Sequence, residues 1–164
     1  MNNVIKKKEY IIHIDLEEKD ALYDDYNWHI LNDELARYIN KQISKTKLDD
    51  KIILEISAGF MKQEEKVKMR ECIINHYQDV IAEIKVYNRL LSKKQYLLLF
   101  FGILGLIVSS MLDGITAKII VEVLNIAGWV GVWEAIYSII FTDSELKFKQ
   151  KRAKQIIKSE IIFK

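Results

Sequence analysis

Apolar positions follow three patterns along this chain, and their order predicts the architecture. The first is alternation. Tyr10, Ile12, Ile14 and Leu16 alternate with Ile11, His13 and Asp15 across Glu9–Leu16, and Ile52, Leu54 and Ile56 line one side of Lys51–Ser57. A period of two marks a strand with one better-buried face. Between these segments Leu31, Leu35, Ile39 and Ile43 recur every fourth residue, and Asn32 or Asp33 can cap a helix running to about Lys45. Glu17–Trp28 is acidic, tyrosine-rich and aperiodic, and predicts a loop.

The second pattern is helical and has no stop signal. From Gln63 to Phe101 there is neither glycine nor proline, which predicts one long helix leading out of a folded domain. At heptad spacing Ile74, Tyr77, Ile81, Ile84, Asn88 and Leu91 fall on alternating a and d positions, and Arg70 breaks the pattern short of Val67. Such a face either covers a sheet or meets copies of itself. In so small a domain the strands need the cover. In the second use, Asn88 would fix the register of a homo-oligomer.

The third pattern is an unbroken apolar run. Tyr96–Leu112 has no charge and follows directly on Lys93 and Lys94. As a helix it covers roughly 25 Å, close to the lower limit for a bilayer core of about 30 Å. A second run, Ile119–Phe141, follows after a short connection. The pair predicts a transmembrane hairpin over 95–141 with spans at about 96–112 and 119–141. Thr142-x-x-Glu145 has the spacing of a capping box that would open a basic helix, and Ile156–Phe163 predicts a closing strand. The predicted class is therefore α+β. Residues 1–94 supply β-α-β-α, and 142–164 return an α-β to the same small cytosolic sheet, into which the two-helix hairpin is inserted.

Charge orients the hairpin. Lys85, Arg89, Lys93 and Lys94 precede the first span, and Lys147, Lys149, Lys151, Arg152 and Lys154 follow the second. The connection near Asp113–Lys118 holds one lysine and one aspartate. The positive-inside rule then puts both ends on the cytoplasmic side of an inner membrane. A mean hydropathy of −0.01 averages these two regimes and hides both. The net charge of +2 is too small to argue for nucleic acid. One cysteine, Cys72, excludes an internal disulfide, and MNNVIKKKEY lacks the apolar core of a secretory signal.

Polar groups stand inside the second run. Glu122 and Asn125 lie near its outer end, and Glu134 well within it. At 100° per residue Ala127, Gly131, Glu134 and Ser138 fall within about 60° of one another, and Gly102, Gly105 and Ser109 form a matching strip on the first run. Small residues on facing strips let helix backbones approach closely, with Gly131 expected level with Gly105 and Glu134 with Gly102. A carboxylate at that depth costs on the order of 2.5–3.5 kcal/mol, and no cation in the first span offsets it. Glu134 is then protonated on a carbonyl, meets another copy, lines an aqueous path, or snorkels toward the nearby boundary. Trp129, Trp133 and Tyr137 repeat at i+4 as a lipid-facing or interfacial stripe.

Signs of catalysis are thin. His13, His29 and His76 are scattered, and no Walker A, GxGxxG, GxSxG or HExxH sequence is present. Asp20, Asp24 and Asp25 lack the spacing of a calcium loop. No metal or cofactor is implied. Ser57, Gly59 and Lys62 join a strand to a helix N-terminus, where a small anionic ligand can bind, although Glu64 and Glu65 already occupy the first turn.

The segment IAGWVGVWEAIYSIIFTDSELKFKQKRAKQIIKSEI resembles the second span and tail of a group of small bacterial two-span membrane proteins patterned GWV-x-x-W-x-P. Gly128, Trp129, Val130 and Trp133 match, and Ala135 stands where proline is usual. The resemblance implies the inserted-hairpin architecture and carries over no catalytic residues. Together these features lead us to expect a non-enzymatic membrane effector or sensor that couples a cytosolic domain to its hairpin. The alternative is an anchored docking module. Its partners would be the bilayer, further copies of the chain, and a small anionic ligand or a protein.

Overall fold

The computed structural model describes residues 8–16, 23–24, 27–59, 61–112, 114 and 117–164. Lys6, Lys7, Asp20, Asp25 and Asp113 fall outside them. The order of elements is β1 (Glu9–Asp15), β2 (Tyr23–Asp24), β3 (Asn27–Leu31), α1 (Asp33–Ile43), β4 (Lys51–Ser57), α2 (Gln63–Leu112), α3 (Lys118–Tyr137), a π turn (Ser138–Thr142), α4 (Asp143–Ile157) and β5 (Glu160–Phe163). Two compact units result, one from Met1–Ala82 with Gln150–Lys164, the other from Glu83–Lys149. The second is wider at both ends than the 95–141 segment predicted from apolarity.

In the first unit β1, β4 and β5 form a parallel sheet with β4 in the middle. The step from β1 to β4 and the step from β4 to β5 run the same way across the sheet. Crossovers of one hand therefore put every covering helix on the same face. Ile12, Ile14, Ile52, Leu54, Ile56 and Ile161 point to that face and are buried. Leu35, Ile39 and Ile43 of α1, Met69, Ile73 and Tyr77 of α2, and Ala153 and Ile156 of α4 complete the core. The buried side of α2 is centred on Met69, Ile73, Tyr77 and Ile81, with Ile74 only partly covered. That is the sheet-covering stripe.

Local chemistry explains the element ends. Asn32 caps α1, its Oδ1 accepting from the Glu34 N–H at 2.8 Å. After α1 the Thr46–Asp50 turn is clasped by α4. Arg152 donates to the Thr46 hydroxyl at 3.1 Å and to its carbonyl at 2.5 Å, and the Gln155 amide donates to the Lys47 and Asp50 carbonyls, both at 2.9 Å. Each edge strand also has one carbonyl occupied by a helix side chain, Tyr38 on His13 O at 3.1 Å and Arg70 on Ile161 O at 2.6 Å. Edge groups held this way are not free to pair with another chain.

Three expectations are corrected. Part of the predicted Glu17–Trp28 loop is β-structure, since β2 pairs antiparallel with β3. A two-residue strand is too short to show a period. Ile156 and Ile157 end α4, so the last strand starts at Glu160. Thr142 opens no helix: α3, the π turn and α4 follow without a gap, and no glycine or proline stands between Val132 and Ile157 to break them. Thr142 therefore lies inside a helix and caps nothing.

Candidate functional site in the helical hairpin

The second unit pairs the end of α2 with α3 as an antiparallel hairpin. Both helices are long and apolar enough to cross a membrane, with stretches of mean hydropathy 2.0 and 1.6. Only 17% and 11% of those stretches are buried, unlike the core helix of a globular protein. Phe100, Phe101, Ile107, Ile126, Val130 and Trp133 all face outward.

Glycine closes the seam. A Cβ added at Gly102 would stand 2.9 Å from the Gly128 carbonyl oxygen and 2.9 Å from Val132 N; one added at Gly128 would stand 2.9 Å from Gly102 O. Gly105 lies against the Gly128 Cα, and Gly131 against Gly102 Cα and Leu98 O. Gly102, Gly105 and Ser109 thus share the α2 side of the contact, and Ser109 is buried. On α3 the contact differs from the predicted strip. Gly128 and Ala135 are buried in it, whereas Ala127 is exposed. Gly131 meets Gly102 rather than Gly105, a slip of about three residues, because the closest backbone approach is set by Gly102 against Gly128.

Glu134 is exposed on the flank of this pair, as are Glu122 and Asn125. The structure does not bring Glu134 against Gly102. Trp129, Trp133 and Tyr137 also lie on the outside.

A buried polar contact that the sequence reading missed closes the seam near the π turn. Gln95 is only 2% exposed, and its amide nitrogen donates to Ser138 Oγ at 3.0 Å and to Asp143 Oδ1 at 3.2 Å. In an α-helix residues five apart stand about 140° from one another. The π turn instead bonds the Asp143 N–H to the Ser138 carbonyl and stacks the two residues on one side. One amide can then reach both acceptors. Gln95 follows two lysines at the edge of an apolar run, and that position hides its role in the sequence.

Other predicted sites are not brought together. The helix N-terminus after Ser57 is filled from within, as the Lys62 N–H donates to the Glu65 carboxylate at 2.8 Å. A Cβ on Gly59 would meet nothing within 4 Å, so no close backbone approach requires that glycine. Burial pushes the Cys72 thiol up, away from thiolate reactivity. Asn88 is partly buried, and its side-chain oxygen has no hydrogen-bond partner among the described residues.

On the uncovered sheet face Glu55 accepts from Lys164 at 2.8 Å and lies 3.1 Å from His13 Nδ1. The Lys164 hydrogen bond holds the Glu55 carboxyl below its usual range. An open groove of about 710 Å³ runs past Glu9, Asp50, Lys51, Lys154 and Lys158. Lys51 there is engaged by Glu160 at 3.1 Å and Glu9 at 3.2 Å, which raises its pKa. Among the described residues no group of three His, Cys, Asp or Glu could hold a metal ion.

No protein-family model, curated protein or solved structure matches this chain.

Proposed function

We propose that this is a two-pass protein of the bacterial inner membrane, with both ends cytoplasmic, that acts without catalysis as an effector or sensor. The observation that carries the reading is the hairpin: its inner faces meet backbone to backbone through Gly102, Gly128 and Gly131, while its outer faces stay apolar. Without a hydrophobic gain between helices in lipid, close approach through small residues is what holds such a pair together. The resemblance to small two-span proteins with the GWV-x-x-W pattern supports it. A ligand or protein partner acts on the α/β domain, and α2 and the α3–α4 helix carry the event to the hairpin. Membrane permeabilisation follows when copies assemble with Glu134 between them, since an exposed carboxylate on a lipid-facing flank is relieved by a neighbour.

A second reading, an anchored docking module, is favoured by one observation. The seam between Gly102 and Gly128 leaves no space within a single hairpin. The two are separated by expressing the protein with its neighbouring genes and recording membrane potential and growth. The effector is expected to depolarise cells and Glu134→Leu to abolish the effect. A wild type that never depolarises leaves the docking module.

A further inference from the structure

Basic side chains surround the hairpin where the apolar surface stops. Lys85, Arg89, Lys93 and Lys94 lie on α2 just before Gln95, and Lys147 and Lys149 on α4 beyond the π turn; all are exposed. Lys149 pairs with Glu145 at 2.7 Å. Among the described residues no carboxylate is paired with the other five. At 1.5 Å per residue Arg89 stands roughly 9 Å before Gln95, and Lys147 about as far beyond Phe141. The headgroup layer of one leaflet is about 5–8 Å thick. Long cationic side chains at these positions reach it.

The same stretch exposes apolar groups. Tyr87 is 54% and Leu90 60% exposed, interleaved with Arg89 and Lys93. Charge alone would suit a soluble acidic partner. Apolar and aromatic groups set among cations suit the membrane boundary, where rings and alkyl groups sit among glycerol and upper acyl chains while the cations meet phosphate.

We propose that Arg89, Lys93, Lys94 and Lys147 bind the phosphates of anionic phospholipids, with Tyr87 and Leu90 embedded beside them. This rests on the membrane reading above and adds a lipid class to it. The test uses the full chain reconstituted into vesicles of phosphatidylcholine alone or mixed with phosphatidylglycerol, followed by tryptophan fluorescence on heating. The melting midpoint is expected to be at least about 3 °C higher in the anionic vesicles, a gain that high salt removes. The variant Arg89→Gln/Lys93→Gln/Lys94→Gln/Lys147→Gln is expected to lose the gain, and Lys41→Gln/Lys158→Gln to keep it. Wild-type protein carries a second measurement that needs no variant, native mass spectrometry from mixed vesicles, in which retained lipid should be enriched in phosphatidylglycerol. Retention in both vesicles with equal midpoints and no enrichment overturns the lipid proposal alone. Release from both vesicles by alkaline carbonate overturns the membrane reading and this proposal with it.

Discussion

Gly128 has no room for a side chain: a Cβ there would come within 2.9 Å of the Gly102 carbonyl oxygen and of Leu106 Cγ. A side chain can rotate away, but the facing backbone cannot move without opening the seam. Gly128→Val is therefore expected to cost about 1–3 kcal/mol or more and to lower the melting midpoint in detergent by several degrees. Gly59→Ala is the contrasting case, with open space around its Cβ and no left-handed backbone; it should be neutral or stabilising by up to about 1 kcal/mol. Equal losses from the two would deny the seam its role. Residue-scale chemistry also sets a pH dependence in the α/β unit. Lys164 holds Glu55 below its ordinary pKa of 4.5, so the unfolded chain binds that proton more tightly than the folded one. The contribution is present above 4.5 and is lost as the pH falls through the depressed value. Lys164→Met should thus lower stability in denaturant titrations at neutral pH, and the gap to wild type should close on acidification. A gap that stays constant would mean the pair is not linked to protonation.

Between elements, the π turn and Gln95 explain each other. Replacing Gln95 by leucine leaves Ser138 and Asp143 without their donor and removes the reason for stacking them. The expected result is a loss of about 1–3 kcal/mol, with the Ser138–Thr142 backbone returning to α-helical hydrogen bonding in amide-exchange spectra. Thr142→Ala should change stability by less than about 0.5 kcal/mol, since Thr142 caps nothing. The same elements show how far the sequence could be read. The strands around Ile12 and Leu54, the α1 stripe and the unbroken start of α2 were legible because burial on one face writes a period into the chain. The two-residue β2 writes none. Thr142-x-x-Glu145 carried a local signal that continuous helix overrode. The hairpin seam was legible as a set of small residues on α2, but its register was not. The strip was centred on Glu134, and packing selects the positions where two backbones touch, which are Gly102 and Gly128. Gln95 writes no signal of its own, because a single amide beside lysines reads as ordinary surface.

For the whole molecule, the charge distribution makes orientation testable with one thiol per variant. Cys72 is 5% exposed and its thiol is pushed up by burial, so it gives little background, and Cys72→Ala removes that. Lys118, at the start of α3, and Lys41, on α1, are both exposed. If the basic residues beside the two apolar runs are retained on the cytoplasmic side, moving them across would oppose the bias that sets topology. A membrane-impermeant maleimide applied to intact spheroplasts should then label Lys118→Cys and leave Lys41→Cys unmodified until the cells are lysed. Labelling of Lys41→Cys alone would invert the protein and place the domain outside. Labelling of both before lysis would mean that the apolar helices do not separate the turn from the domain. In that case the outward Phe100, Val130 and Trp133 would need a protein cover, and the close seam at Gly102 would be the centre of a larger soluble assembly.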